Sequence, residues 1–323
     1  MTGNDLPVLA IDLGGTKILA ALINGSTIAY RDYSPTLAAE GPQAVIKRIF
    51  AAIDRVLHQA GRDLAQIHGI SIAAAGAIDT ANGVVTLSPS LPGWRNIPLV
   101  NLVRKKYPVR VDIIHDGNAA ALAEHRFGAG KGTRNMIYMT VSTGIGGGII
   151  IDNREYHGAS GAAGEIGHMT IDVNGPKCNC GNTGCLEVLA SGTAMAREAV
   201  RRLKAGEKSS LTGMVNGKIE AITAREIGAA AVQGDPLAMA VLDRIATYLG
   251  IGLVNLVNIF NPEMIVIGGG VANLGEMLLG PARKIVNERA FPISAGAVKI
   301  VRAQIGQDSG VIGAAVAAKE SRE

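Results

Sequence analysis

The 323-residue sequence predicts an α/β protein built as two domains. Short β-branched apolar runs alternate with segments of helical period along the chain. A strand, glycine turn, strand pattern also occurs twice, over 8–23 and over 136–151, which predicts two related halves. The length agrees, since one ordinary core stops growing before this size and two domains of about 150 residues are favoured. A hydrophobic content of 48% is ample for both cores.

Taken in order, the apolar run Val8 to Leu13 ends in Asp12-Leu13-Gly14-Gly15-Thr16-Lys17, and Ile18 to Ile23 is again β-rich. After Pro42, residues Val45, Ile46, Ile49, Phe50, Ile53, Val56 and Leu57 recur at helical spacing until Gly61 stops the pattern. His68 to Ala74 and Val109 to Ile114 read as strands, and the alanine-rich stretch Asn118 to Phe127 as a helix closed by Gly128. The second half opens with a strand at Met136 to Val141, the turn Ser142-Thr143-Gly144-Ile145-Gly146-Gly147-Gly148, and a strand at Ile149 to Ile151. Asp235-Pro236 caps a long helix through Leu242, Ile245, Leu249, Leu253 and Leu256 to Asn261-Pro262. A strand at Met264 to Ile267 runs into Gly268-Gly269-Gly270, and Gly310 to Lys319 forms a closing helix expected to pack on the first half.

Charge and composition exclude several functions. Lys and Arg number 31 against 27 Asp and Glu, so a formal +4 creates no field that recruits nucleic acid, and 3% aromatics leave few stacking platforms. The basic clusters at Arg104-Lys105-Lys106 and from Arg197 to Lys204 read as solvated helix faces. Met1 to Pro7 carries no Lys or Arg ahead of an apolar segment, and the apolar stretch Leu249 to Phe260 is too short to span a bilayer. A cytoplasmic protein without a membrane partner is expected, in a reducing compartment that leaves thiols available for metal.

Those thiols are the most specific chemical signal. His168 and the three cysteines, Cys178, Cys180 and Cys185, form H-x9-C-x-C-x4-C between Glu165 and Glu187. Three thiolates and one imidazole suit a closed tetrahedral Zn²⁺ site, structural rather than catalytic. An odd number of cysteines packed within eight residues fits neither core packing nor a disulfide well. Zinc there would fix His168 and the segment Cys185-Leu186-Glu187, whose polar side chains read as substrate ligands.

The three glycine turns are the second signal. Successive backbone N–H groups without side chains form an anion-binding concavity, and three such turns, each after a strand, point to a nucleotide. Gly130-Lys131 does not complete a Walker A loop, because the first glycine falls on His125. The Gly144 turn leads into β-branched residues rather than a helix, against a Rossmann fingerprint. Asp116 follows a strand and precedes a helix, at the carboxyl end of a sheet strand where α/β sites gather; it reads either as a general base or as the helix N-cap.

Together these residues resemble the ROK group of sugar kinases, within the actin, Hsp70 and hexokinase superfamily, nearly end to end. Asp12 to Lys17 is similar to the first phosphate motif, Ser142 to Gly148 to the second, Ile267 to Gly270 to the adenosine motif, and Glu165 to His168 with Cys178 to Glu187 to the zinc and sugar signature. The resemblance implies two RNase H-like (actin-like ATPase) domains around a central cleft, one over 1–117 plus 305–323 and one over 118–304 with a zinc loop at 168–187. It implies ATP-dependent phosphorylation of a hexose, with glucose at O6 first and N-acetylmannosamine, other N-acetylhexosamines, fructose, mannose or allose behind it. Asp116 would be the general base. Asp12 would organise Mg²⁺, while Gly14, Gly15, Thr16, Lys17, Thr143, Gly144 and Gly146 would hold phosphates and Gly268, Gly269 and Gly270 would lie near adenosine. Glu165, His168 and Glu187 would bind sugar hydroxyls, His168 using its other ring nitrogen for zinc. A homodimer or higher homo-oligomer is implied as well.

Two positions depart from the family pattern: His115 and Ser90 stand where many members have sugar-binding Asn. Imidazole and hydroxyl still exchange hydrogen bonds with a sugar, but with a different reach, so the preferred epimer stays open. The family also contains sugar-responsive repressors, which carry an added N-terminal winged helix. Eleven residues precede Asp12, so an enzyme is expected over a DNA-binding regulator, with a non-catalytic sugar sensor as the alternative.

Overall fold

A computed structural model describes residues 6–320, so most of the leader reading over residues 1–7 lies outside the described residues. The first hairpins are β1 (Val8–Leu13), β2 (Lys17–Asn24) and β3 (Thr27–Pro35), an antiparallel meander. Helix α1 (Pro42–Ala60) starts on its proline and ends at Gly61, whose φ of 57° satisfies the left-handed C-cap that the sequence requires there. Then come β4 (Gly69–Ala74), β5 (Ala77–Asp79), β6 (Val84–Leu87), β7 (Arg95–Ile97), α2 (Leu99–Lys106), β8 (Val111–His115) and α3 (Asp116–Phe127). The second half opens with β9 (Met136–Val141), β10 (Ile145–Ile151) and β11 (Arg154–Glu155). Helices α4 (Leu186–Ala190), α5 (Gly192–Lys204), α6 (Leu211–Met214), α7 (Ala224–Val232) and α8 (Pro236–Phe260) follow. The chain closes with β12 (Met264–Gly268), α9 (Glu276–Arg289), α10 (Pro292–Ala297), β13 (Lys299–Arg302) and α11 (Ser309–Glu320).

Two five-stranded sheets share one topology. Their orders are β3-β2-β1-β4-β8 and β11-β10-β9-β12-β13, so each half places its third, second, first, fourth and fifth strands side by side. In the first, β1, β4 and β8 run parallel; in the second, β9, β12 and β13 do. The repeat read from two glycine turns is therefore a repeat of whole sheets.

The chain divides into two compact units. One runs to Gly132 and takes in Gly148–Gly164 and the segment from Ile305 onward; the other holds Thr133–Gly147 and Glu165–Gln304. The first unit extends past the break expected at residue 117. Helix α3 stays with it because α3 packs on α11, with the Gly313 Cα so close to the Ala119 carbonyl oxygen that a methyl group would collide. Its core gathers Leu9, Ile11, Leu13, Ile49, Ile53 and Trp94, all at most 1% exposed. The second unit is centred on α8, packed by α4, α5, α7 and α9. At 25 residues α8 is longer than the apolar stretch 249–260 read from sequence as too short to span a bilayer, and by length and composition it could cross a membrane. Burial of Leu242, Ile245, Leu249, Leu253 and Leu256 inside this unit accounts for its apolar character instead.

Candidate functional site

In the first unit, Asp12 sits next to last in β1 and the glycine turn follows. The turn is held by the Gly14 N–H on the Lys17 carbonyl at 3.0 Å and by the Thr36 hydroxyl on the Gly14 carbonyl at 2.7 Å. Gly15 must lack a side chain, because a methyl there would lie 2.8 Å from the Ser90 carbonyl oxygen. Ser90, read from sequence as facing a sugar, is thus packed on this turn, its hydroxyl 3.2 Å from that of Ser88. Thr16 is exposed and Lys17 half-buried. Burial pushes the Asp12 carboxyl up to about 6; the Asp116 carboxylate adds to the rise and Lys17 opposes it. Asp12 and Asp116 are therefore near enough to repel.

Asp116 begins α3, two residues before the helix start read from sequence, and it is not the N-cap. That role belongs to His115, whose Nδ1 accepts the Gly117 N–H at 3.2 Å. The same N–H lies 2.7 Å from Asp116 Oδ1, and His115 Nδ1 is 3.5 Å from that oxygen. Accepting at Nδ1 leaves the neutral ring's proton on Nε2. Asp116 Oδ2 accepts no hydrogen bond from the described residues, which leaves one carboxylate oxygen open to a substrate proton.

In the second unit, His168 Nδ1 and Cys178 Sγ are 3.7 Å apart, as are Cys180 Sγ and Cys185 Sγ, and all four ligand atoms lie within 4.8 Å of one another. A tetrahedron with bonds of about 2.3 Å to sulfur has edges of about 3.7 Å, so the donor set fits zinc. The three thiols are unpaired, and burial pushes the Cys185 thiol up to about 12, a cost that a bound dication reverses. The loop is tied by bridges Thr170 to Cys185 and Lys177 to Thr183. Because Nδ1 faces the thiols, His168 Nε2 is left over, 3.8 Å from Glu165 Oε2.

The second glycine turn is shorter than the sequence suggests. Ser142 to Gly144 makes the turn, closed by the Ser142 N–H on the Gly144 carbonyl at 2.9 Å, whereas Gly146 lies inside β10. Gly268 and Gly269 pack against β9, and Gly270 lies beside Ser142 of this turn. Gly269 has φ 87°, and a methyl on it would lie 2.8 Å from Thr140 Oγ1. A cavity of about 910 Å³ opens here, lined by Thr143, Thr193, Thr223, Arg225, Gly270 and Asn273 among others. Its size suits a nucleotide. Thr193, Thr223 and Asn273 were not singled out by sequence; the Ser191-Gly192-Thr193 helix start was the available signal. A larger opening of about 1440 Å³ in the first unit is lined by Arg104, Arg110, Arg126 and Arg154 among others, and none of the sequence-predicted site residues borders it.

A mixed α/β fold with paired carboxylates, glycine turns and a Cys₃His loop defines the class of sugar kinases and their relatives. The ROK family model matches residues 8–321, and the chain belongs to the ROK family. It is 36% identical to the glucokinase of Thermotoga maritima, over 98% of both chains. It is also 36% identical to the xylose repressor of Caldicellulosiruptor bescii, over 88% of this chain and 71% of the repressor. Among solved structures it is similar to a ROK family glucokinase from Streptomyces griseus in complex with glucose and AMPPNP, with TM-score 0.83 and 34% identity, covering 96% of this chain and 98% of that one.

Proposed function

We propose that this protein is an ATP-dependent hexose kinase that phosphorylates glucose at O6. The observation that carries the reading is Asp116, held at the mouth of β8 with one carboxylate oxygen open, in a chain 36% identical to a glucokinase over nearly its full length. The shared strand order supports two RNase H-like, actin-type halves. ATP, brought with Mg²⁺, supplies the phosphoryl group; Asp12 would hold the metal's shell. Asp116 accepts the O6 proton as O6 bonds to the γ-phosphorus and the bond to the bridging oxygen breaks, releasing ADP. Such a transfer is mostly positioning and charge neutralisation, and the base adds about 10²- to 10⁴-fold. Backbone at Gly14, Gly15, Thr143 and Gly144 holds phosphate, and the cavity beside Gly270 takes the adenosine. Glu165, Glu187 and His168 Nε2 bind sugar hydroxyls, while the Cys₃His set holds a structural zinc.

A panel of hexoses with Mg-ATP tests this directly. Glucose-dependent ADP release with glucose 6-phosphate as product is expected, and a homodimer on sizing. The match to a xylose repressor favours a second reading, a sugar-responsive regulator. Sugar binding with no hexose-dependent ATP consumption would decide for that one.

A further inference from the structure

Glu187 has a second engagement besides the sugar-facing role given to it above. Its Oε2 accepts the Ile145 N–H at 2.9 Å, and the same oxygen sits over Gly144 where any β-carbon would collide. Its position is fixed by its neighbours. Cys185, two residues earlier, is a buried member of the metal-ligand set. Leu186 between them is fully buried against Gly252 of α8, and its N–H bonds the Met169 carbonyl at 2.8 Å. The other side of the glycine turn is gripped from the same stretch of chain. The Gly192 N–H bonds the Ser142 carbonyl at 2.7 Å, and the Thr193 hydroxyl bonds the Thr143 carbonyl at 2.8 Å. The turn 142–145 is thus clamped by residues 187, 192 and 193, which follow directly on a metal ligand.

We infer that Glu187 is a positioning residue that ties the metal loop to the second glycine turn, so that order in the loop sets the turn's affinity for a nucleotide's phosphates. This rests on the kinase reading for what the turn binds and for the sugar hydroxyl that meets the other Glu187 oxygen. A single carboxylate joins the two sites: a sugar hydroxyl donating to Oε1 restrains the rotamer that places Oε2 on Ile145. Sugar and nucleotide then strengthen each other's binding, and linkage makes the effect equal in both directions.

The test uses the full chain without sugar, reading hydrogen exchange over 142–147 and the Kd for ADP. Wild type is compared with its metal-chelated form and with Glu187→Ala, Glu187→Met and Glu187→Gln. Ala, Met and chelation should speed exchange at Ile145 at least tenfold and weaken ADP about 5- to 150-fold, the usual range of coupling between sites. Gln keeps an acceptor for Ile145, so it should restore both readouts while still losing sugar affinity. Met preserves volume and serves if Ala does not fold. Exchange and ADP affinity within twofold of wild type in Ala, Met and chelated protein would overturn the inference. Protection at Ile145 lost in Ala and Met, with a wild type that binds no ADP, would support the tie and overturn the kinase reading.

Discussion

The two sheets have the same strand order, yet their glycine turns are furnished with opposite chemistry. The turn after β1 is flanked by the carboxylates Asp12 and Asp116, and the charge of Asp116 adds to the cost that burial puts on ionising Asp12. The turn after β9 carries hydroxyls and bare backbone at Ser142, Thr143 and Gly144, and the carboxylate that touches it, Glu187, is engaged as a hydrogen-bond acceptor. A duplicated topology supplies two glycine turns, and the side chains around them differ. The first turn is suited to cations and proton transfer, the second to phosphate and the nucleotide cavity beside it.

The sharpest way to break this division is Asp116→Asn. If proton transfer belongs to the first unit, the substitution should lower kcat about 10²- to 10⁴-fold with little change in the Kd for sugar or ADP. Wild-type turnover in the purified variant would remove Asp116 from the role.

Metal removal probes the other unit. Structural zinc contributes on the order of 10 kcal/mol to such loops. Chelation, or Cys185→Ser, should abolish sugar binding and expose residues 168–187 to limited proteolysis while leaving α1 and the first sheet protected. One zinc per chain is expected by elemental analysis, and protease resistance of the metal-free loop would count against the site.

Asp12 sharpens the electrostatic half of the comparison. Its carboxyl, ordinarily at 3.8, is raised to about 6 by burial first and by Asp116 second. Folding therefore favours its protonated form. That contribution is whole below about pH 4 and is lost as pH rises through about 6. In ligand-free protein the stability gap between Asp12→Asn and wild type should widen across this window, by on the order of 2 kcal/mol, and then level off. Denaturant melts at pH 4, 5, 6 and 7 measure it; a gap that does not change with pH denies the burial argument.

Much of this was legible locally. Pro42 and Gly61 bound α1 because each has a conformational reason to stand at a helix end, and the Cys₃His spacing needs only local loop geometry to bring four ligands together. What was not legible depends on contacts between distant segments. Gly146 reads as turn until β10 is paired, the packing of the Ser90 carbonyl against Gly15 joins two distant segments, and the tie from Glu187 to Ile145 joins residues 42 apart. Thr193, Thr223 and Asn273 meet only where three elements of the second unit converge on one cavity.

The smallest effect concerns the helix that carries Asp116. Caps are ordinarily Ser, Thr, Asp or Asn, so histidine at that position hid the start of α3, and the helix reads two residues short in sequence. An imidazole can serve only through an unprotonated nitrogen, and Nδ1 is that atom here. His115→Ala should cost about 1 kcal/mol of stability, the usual worth of a cap. His115→Asn, which returns a standard acceptor, should recover it. If the cap also holds Asp116 in register, kcat should follow the same pattern, falling in Ala and recovering in Asn, with KM for ATP unmoved. Recovery of stability without recovery of kcat would separate the two roles and leave His115 as a sugar contact through Nε2.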